Sequence, residues 1–517
     1  MSPQYLSPGV YVEEVDKGAK PIEGVATSIA GFVGFTQKGP VNYPTFIANW
    51  GQFTQTFGEF LPGGFLAHAV YGYFNNGGGS CYVTRLPGSN GAGGAEASKA
   101  QATLPSAAQA SIETLTVTAL EEGEASVEVS KPTGEDIQED QFNLKIKVGS
   151  KEETFENLTF KKGKTARNVI EVVNKESKLV KVAEKESTLG VAEKMPAPGT
   201  YPLTASAATT TALSVESISP DAFVGDAGER SGINGMELAD DVTMVICPDI
   251  MALYQADKIT REGVKIIQTA MIDHCNNLGD RVAILDCLPG MNPQEVKDWV
   301  VNEAGYDSSY AAIYYPWIKV ANPLPDSESI YVPPSGHMAG LYARVDGTRG
   351  VHKAPANEIV QGAIGVEMAI TKSEQDQLNP NSVNCIRAFP GRGIRVWGGR
   401  TLSSDASWRY INVRRLFNFV EKSVENGTQW VVFEPNDMAL WAKIRRDIGA
   451  FLRRVWMEGA LFGATPDEAF YVKCDEELNP VEVRDAGQVI TEIGICPVKP
   501  AEFVIFRISQ WAGPGSE

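Results

Sequence analysis

The chain has 517 residues, of which 43% are hydrophobic, and a formal net charge of −18 at pH 7. Because one hydrophobic core seldom grows beyond roughly 250–300 residues, this length predicts several domains. The acidic charge argues against direct binding to nucleic acid, and no run approaches the roughly 20 apolar residues of a membrane span. The N-terminus lacks the basic and apolar regions of a signal peptide, so we expect synthesis in the cytoplasm.

The charge is unevenly distributed along the chain. Residues 387–455 contain thirteen Lys and Arg against six Asp and Glu. Such a basic region inside an acidic chain indicates either a specific acidic partner or a solvated helix face. The seven cysteines form no CxxC pair and the four histidines are far apart. We therefore expect buried reduced thiols, with no metal site and no cofactor.

In chain order, residues 1–24 form an N-terminal arm. Residues 10–15, which follow a Ser7-Pro8-Gly9 turn, have the character of a short β-strand with no local partner. An isolated strand is unstable in water, because its backbone N–H and C=O groups need a sheet to pair with. This segment therefore needs a sheet either in the body of its own chain or in another copy.

Residues 25–86 read as the first part of a core. We expect a buried strand within 25–35, a turn-rich stretch around 49–58, a helix near 66–74 and a second strand at 80–86. This β-α-β order predicts a parallel pair. Residues 87–235 are rich in Ala, Gly, Ser, Thr, Lys and Glu, with alternating runs at 115–117 and 142–148. They indicate an inserted, β-rich outer domain.

Residues 236–400 alternate apolar strands and helices, which predicts a central α/β domain with a parallel sheet. A nucleotide-binding enzyme is one alternative for this region. However, no GxGxxG follows a strand, and the Gly163-Lys164-Thr165 run lacks the glycine that a phosphate-binding loop needs five positions earlier. The chain also lacks GxSxG and HExxH motifs, so we expect no enzymatic activity.

Residues 401–496 predict a C-terminal domain with two amphipathic helices. The first begins near 408 and stops at Asn426-Gly427, and a short strand at 430–433 follows. Asn436 is expected to cap the second helix, residues 437–458. Its apolar stripe predicts core packing and consists of Leu440, Trp441, Ile444, Ile448, Phe451, Leu452 and Val455.

Residues 497–517 form a C-terminal arm. A flexible joint is expected at 497–500, and residues 503–508 are a second lone β-type segment. Like the N-terminal segment, it needs a sheet from elsewhere.

Several segments, in this order and spacing, are typical of one family. They are SPGVYVEEV at 7–15, residues 27–34 with 39–40, residues 50–58, WRYINVRRL at 408–416, FEPN at 433–436, residues 459–463 and PAEFVI at 500–505. In these segments the chain resembles the sheath proteins of contractile tails, found in phages, tail-derived bacteriocins and extracellular contractile injection systems. The resemblance does not extend to residues 87–235.

The resemblance implies an α/β and α+β multidomain fold. Its inner domain would be built from both chain ends, beside the central domain, the inserted domain and the two arms. It also implies self-assembly into stacked six-fold rings, a helical homo-oligomer around an inner tube protein, with baseplate and tail-terminator or cap proteins as further partners. Contraction would then be a change of packing that needs no nucleotide. The particle would be a virion tail or an injection particle.

Strand addition to neighbouring copies would use both arms. For the N-terminal arm the expected contact residues are Val10, Tyr11, Val12 and Val15; for the C-terminal arm they are Val504, Phe506 and Ile508. For the contact with the tube we expect the basic residues Lys443, Arg446, Arg453 and Arg454. Alternatives remain a capsid or tube component, and an adhesive role for the inserted domain.

Overall fold

A computed structural model describes residues 21–87, 101–109, 112–119, 125–132, 140–148, 151–161, 167–185, 190–191, 193–203, 219–324 and 328–508. The N-terminal strand segment, with Val10, Tyr11, Val12 and Val15, lies outside the described residues.

The elements divide into four regions along the chain. The N-terminal region has β1 (Ala30–Gly34), β2 (Thr45–Ile47), α1 (Trp50–Phe57), α2 (Leu66–Asn75) and β3 (Cys81–Arg85). The inserted region has β4 (Gln101–Pro105), β5 (Glu113–Ala119), β6 (Ala125–Ser130), β7 (Phe142–Val148), β8 (Lys151–Leu158), α3 (Val169–Glu176), β9 (Val180–Glu184) and β10 (Gly199–Leu203).

The central region has α4 (Pro220–Val224), β11 (Met244–Ile246), α5 (Asp249–Gln255), α6 (Arg261–Leu278), β12 (Val282–Asp286), α7 (Pro293–Asp298), β13 (Ala311–Tyr315), β14 (Ile318–Ala321), β15 (Ser329–Val332), α8 (Ser335–Arg349), β16 (Ala363–Val366), α9 (Lys372–Leu378), β17 (Val383–Phe389) and β18 (Gly393–Val396). The C-terminal region has α10 (Ile411–Gly427), α11 (Met438–Met457), α12 (Pro466–Ala469), β19 (Phe470–Lys473), α13 (Val481–Asp485) and β20 (Glu492–Ile495).

The central sheet has the strand order β18-β17-β13-β12-β11-β1-β3-β2. Its six inner strands are parallel, and β18 and β2 close its two edges in the antiparallel sense. Strands β11, β12 and β13 are buried along their whole length, as expected for a sheet that helices cover on both faces. The predicted parallel pairing of the first β-α-β unit is confirmed, since β1 and β3 pair in parallel.

The N-terminal region completes this central sheet. Ala30 of β1 lies beside Met244 of β11 on one side and beside Cys81 of β3 on the other. The expected inner domain built from both chain ends is therefore wrong for residues 25–86, which share a sheet with the central region. The described N-terminal residue that joins the C-terminal hydrophobic cluster is Ile22.

Two further local expectations, one in the N-terminal region and one at the end of the inserted region, also need correction. Residues 50–57 form a helix rather than turns, because the Asn49 side chain accepts a hydrogen bond from the Gln52 amide at 2.9 Å and caps its first turn. The inserted region was expected to extend to residue 235. Phe223, Ile233 and Met236 instead belong to the central hydrophobic cluster.

The inserted region has a hydrophobic core of its own. Its strands form two sheets, β4-β5-β9 and β10-β6-β7-β8, which contain the strands predicted at 115–117 and 142–148. Apolar side chains of both sheets and of α3 meet in one cluster. Buried and exposed residues alternate along β6 and β7, which is the pattern of strands with one face in a core.

The cysteines follow the expectation of free thiols. None of the seven forms a disulfide, and all but Cys496 are buried. Within the described ranges, every helix is too short or too polar to cross a membrane.

Candidate intersubunit surface

Helix α10 is fastened to the central region by a buried ion pair. Arg415 Nη2 lies 2.5 Å from Asp346 Oδ2, and the two side chains are 4% and 5% exposed. Arg415 also donates to the Thr27 carbonyl, and the Thr27 hydroxyl donates to Asp346. Burial lowers the pKa of Arg415, but the charge and hydrogen bonds of Asp346 outweigh it, and the pKa lies above its ordinary value.

The neighbouring Arg414 is buried as well. Its guanidinium lies 4.3 Å from the Trp408 ring centroid and 4.6 Å from that of Tyr310, and it pairs with Glu421 at 3.0 Å. These are cation–π contacts within the chain. Part of the basic region, for which the sequence left open an acidic partner or a solvated helix face, is therefore used for internal packing.

The start of α11 differs from the sequence-based expectation. Asp437, not Asn436, caps the helix, since its carboxylate accepts from the Leu440 amide at 2.8 Å. The Asn436 side-chain oxygen instead accepts from Trp441 Nε1 at 2.8 Å. The strand expected at 430–433 is also absent from these described residues, because Gln429–Val431 is a 3-10 turn and Phe433 has a φ of 68°.

The apolar stripe of α11 forms the core of the C-terminal region, as predicted. All seven stripe residues are buried together with Leu416 and Val420 of α10. The two-stranded sheet β19-β20 lies on this core, with partly buried side chains from Phe470, Val472, Ile493 and Ile495. In the described chain, neither outer edge of this small sheet pairs with a further strand.

The four predicted tube-contact residues lie on one exposed face of α11. Their spacing of i, i+3, i+10 and i+11 places them on one side of an α-helix, and all are solvent-exposed: Lys443, Arg446, Arg453 and Arg454. Arg446 pairs with Asp447 at 2.9 Å, and Arg454 donates to the Ile22 carbonyl. Across the described ranges, the side chains of Lys443 and Arg453 have no hydrogen bond or ion pair.

The segment expected to be a flexible joint, residues 497–500, is bonded to the body of the chain. The Phe462 amide donates to the Cys496 carbonyl at 2.8 Å, and the Val498 amide donates to the Ala460 carbonyl at 3.2 Å. Asn412 Nδ2 reaches the Val498 carbonyl at 3.3 Å. The prolines therefore lie in a path that hydrogen bonds hold in place.

Glu502 ends this bonded path, and sequence reasoning missed its role. Its carboxylate accepts from Arg400 Nη2 at 2.7 Å and Arg400 Nε at 2.9 Å, from Asn379 Nδ2 at 2.7 Å and from the Tyr410 hydroxyl at 2.9 Å. Burial by itself raises the pKa of Glu502, but these donors outweigh it and hold the pKa below its ordinary value. Its place in the PAEFVI motif was the available signal.

From Phe503 to Ile508 the chain is exposed. Residues 503–508 form no strand and make no hydrogen bond with another described residue. The predicted contact residues Val504, Phe506 and Ile508 are 67%, 84% and 96% exposed. Alternate positions of an extended segment share one face, so these three would form one apolar row.

The carboxyl edge of the central sheet, where α/β enzymes bind their ligands, is occupied by helix caps. Asp249 accepts from the Phe35, Phe65 and Leu66 amides, and Asp286 accepts from the Ser335 amide and hydroxyl. Burial raises the pKa of Asp249 to about 6 and that of Asp286 to about 7. Over the described residues, no group of three or more His, Cys, Asp or Glu could hold a metal ion.

The sequence matches two adjoining family descriptions. Residues 241–402 match the phage tail sheath protein central domain, and residues 403–510 match the phage tail sheath C-terminal domain. Together the two matches cover more than half of the chain.

Relatives with the same description come from phages and from a bacterial genome. The chain is 29% identical over 178 residues to a tail sheath protein of Vibrio phage KVP40, covering 34% of this chain and 26% of that protein. It is 28% identical over 186 residues to a putative prophage major tail sheath protein of Pseudomonas aeruginosa, covering 35% and 47%. The chain thus spans less than half the length of these relatives.

Two solved structures have the same fold over nearly the whole chain. The helical sheath of the anti-feeding prophage in the contracted state superimposes with a TM-score of 0.59 at 23% identity, covering 98% of this chain and 100% of that chain. The sheath complex of an extracellular contractile injection system, PVC, in the contracted state gives a TM-score of 0.58 at 23% identity, covering 98% and 99%.

Proposed function

The chain belongs to the phage tail sheath family and is not an enzyme, and we propose that it is the structural subunit of a contractile tail sheath. Copies of the chain stack as six-fold rings around an inner tube and shorten to drive that tube through a target envelope. The particle is the tail of a phage or of a related injection system. Its other partners are the tube, the baseplate and the proteins that close the tail.

The observation that carries this proposal is the exposed C-terminal segment. Five of its six residues between Phe503 and Ile508 are large and apolar, and each of these five is at least 67% exposed. Burying one such side chain stabilises an assembly by roughly 1.5–3 kcal/mol. Its unpaired backbone groups also require a sheet partner. Both needs are met when the segment adds as a strand to a second copy.

The small sheet β19-β20 of a neighbouring copy is the acceptor that fits this segment. Neither of its outer edges pairs with a further strand in the described chain, and one of its faces is already packed on the α11 core. An added strand would pair its backbone with a free edge and place Val504, Phe506 and Ile508 over the neighbour's apolar core. The arm at residues 10–15 would connect copies in the same way.

Contraction follows as a change of packing in which these strand connections persist. The extended lattice forms on the tube and stores free energy, and the shorter, wider lattice releases it without nucleotide. The basic face of α11, defined by Lys443, Arg446, Arg453 and Arg454, faces the tube. A few exposed charged contacts are weak enough to break when the lattice widens, since each contributes about 0.2–1 kcal/mol.

Truncation of the C-terminal arm tests the proposal. A chain that ends at Glu502 should remain folded, because residues 503–508 are exposed and make no hydrogen bond with another described residue, but it should form no sheath on the tube. A chain lacking only residues 513–517 is the control and should assemble. Electron microscopy of each chain produced with its tube protein gives the readout, and circular dichroism checks folding. Polymerisation and contraction of the shorter chain would refute the proposal.

A further inference from the structure

The hydrogen bonds that hold the C-terminal segment to its own subunit end at Glu502. On the N-terminal side of Glu502, residues 496–498 are hydrogen-bonded to Ala460, Phe462 and Asn412. On its C-terminal side, within the described chain, residues 503–508 make no hydrogen bond. Glu502 itself has four donor contacts, from Arg400, Asn379 and Tyr410.

The partners of Glu502 connect it to the central sheet. Arg400 donates to both carboxylate oxygens of Glu502, and this bidentate contact fixes the orientation of the Glu502 side chain as well as its position. The Arg400 backbone exchanges two hydrogen bonds of 2.8 Å with the buried Asn384 side chain on β17. The same Asn384 amide donates to the Ile313 carbonyl of β13 at 3.2 Å. A continuous polar path therefore leads from the root of the arm into the sheet.

We propose that Glu502 is the positioning residue of the C-terminal arm: it fixes where the arm leaves the subunit, and it transmits the pull of the neighbouring copy to the central sheet through Arg400. This inference rests on the proposed function, because it assumes that the arm connects copies. Its consequence is mechanical. The arm pivots beyond residue 502 during contraction, whereas residues 496–502 stay bound to their own subunit in both states of the lattice.

A fixed root also favours assembly. A segment whose starting point is held near a neighbour's sheet loses less freedom on binding than one that starts from a loose tail. Releasing the root should therefore weaken assembly even though the arm keeps all its contact residues. That separates a positioning role from a contact role, which Val504 and Phe506 would have.

Charge-swap variants test the inference. Glu502→Arg and Arg400→Glu should each raise the subunit concentration needed for sheath assembly by about tenfold. This is the effect expected when a side chain that was held in place becomes mobile and must be ordered on assembly. The double variant, which restores an ion pair with the charges exchanged, should recover most of this loss. Tyr410→Phe removes one donor and should have a smaller effect in the same direction. Lys499→Glu, on an exposed position of the same segment, is the control and should assemble normally.

A second measurement distinguishes local release of the arm from misfolding of the variants. Hydrogen exchange on the isolated subunit should show faster exchange at residues 496–502 in both single variants and wild-type exchange in the strands of the central sheet. Normal assembly of Glu502→Arg, or no recovery in the double variant when exchange shows an intact core, would overturn the inference. If the chain ending at Glu502 also assembles, the proposed function itself fails; if it does not, only the positioning role is rejected.

Discussion

The inserted region and the C-terminal region each have a hydrophobic cluster separate from that of the central sheet, but they differ in how much apolar surface they leave exposed. The inserted region buries its apolar side chains in one closed cluster, and of its described large apolar residues Val191 is the exposed one, at 43%. The C-terminal region also has a core, yet it exposes Val432, Phe433, Met438, Met457, Phe462, Val481 and residues 503–508.

We infer from this difference that the inserted region is complete by itself, whereas other molecules cover the apolar surface of the C-terminal region. Large exposed apolar surface in a soluble chain marks a site of association. We infer that the inserted region can be changed without affecting assembly, whereas changes to the exposed surface of the C-terminal region affect assembly without unfolding the chain.

The largest effect is expected from charges on the C-terminal arm. Val504→Asp with Phe506→Asp should abolish sheath formation, because two carboxylates would replace apolar side chains whose burial contributes roughly 1.5–3 kcal/mol each. Val191→Asp makes a similar change in the inserted region and should have no effect. Sedimentation and electron microscopy measure assembly. Equal loss in both variants would remove the distinction between the two regions.

The next effect concerns the basic face of α11. Reversing Arg446 and Arg453 to Glu should reduce the yield of extended sheath on the tube several-fold, since two weak attractions become repulsions. The yield of the wild type should fall with added salt and that of the variant should not. Lys147→Glu with Lys181→Glu, on exposed positions of the inserted region, serves as the control. An unchanged yield of extended particles would show that this face does not contact the tube.

A cavity in the inserted core should lower stability without lowering assembly. Leu144 is fully buried in the cluster of the two insert sheets. Leu144→Ala should therefore cost roughly 2–5 kcal/mol of the free energy of unfolding of that region. Differential scanning calorimetry should show one transition moving to lower temperature while sheath yield at 25 °C stays the same. A simultaneous loss of sheath would mean that the inserted region supports the lattice.

A smaller effect is expected on how stability depends on pH, which should differ between a buried aspartate of the central region and one of the inserted region. The pKa of Asp286 in the central region is raised to about 7 by burial, so the folded chain binds this proton more tightly than the unfolded chain. The contribution of Asp286 to stability therefore falls as pH rises from about 4 to about 7. Asp286→Asn should gain stability relative to the wild type over this range, as measured by thermal unfolding.

Asp140 in the inserted region should show the opposite sign. Burial by itself raises its pKa, but the Thr159 hydroxyl and Lys161 outweigh it and hold the pKa below the ordinary value. Its contribution is present above the ordinary aspartate pKa and is lost as pH falls through the folded value. The advantage of the wild type over Asp140→Asn should therefore disappear in acid. The same sign for both aspartates would contradict these assignments.

The smallest effect on assembly is expected from removing the inserted region. A short Gly-Ser linker in place of residues 101–203 retains Phe223 and the rest of the central cluster. Sheath formation and contraction should be unchanged, and loss of attachment to a target surface would support an adhesive role for the insert. If the chain without the inserted region fails to assemble, the inserted region contributes contacts to the sheath lattice.

Much of the fold could be predicted from local sequence patterns. The apolar stripe of α11 and the buried strands β11 to β13 follow from helical and strand periodicity, because burial on one face or on both determines those patterns. The pairing of β1 with β11 was not readable, since a contact between Ala30 and Met244 leaves no mark on the residues between them.

The candidate site was readable in part for a related reason. The apolar residues 503–508 are visible in sequence as a short β-type segment without a local partner. Periodicity cannot distinguish the buried Arg414 and Arg415 from the exposed Arg446 and Arg453. The difference depends on Tyr310 and Asp346, which are distant in sequence and belong to the central region. The Glu502 contacts join residues 92 to 123 positions apart for the same reason.

We infer that the C-terminal arm completes the sheet of another copy. A cryo-electron microscopy map of the assembled sheath, at a resolution that shows side chains, tests it most directly. In both the extended and the contracted lattice, residues 503–508 are expected to form a strand hydrogen-bonded to β19 or β20 of a different subunit. A map in which this segment folds onto its own subunit, or lies unpaired between subunits, would contradict it.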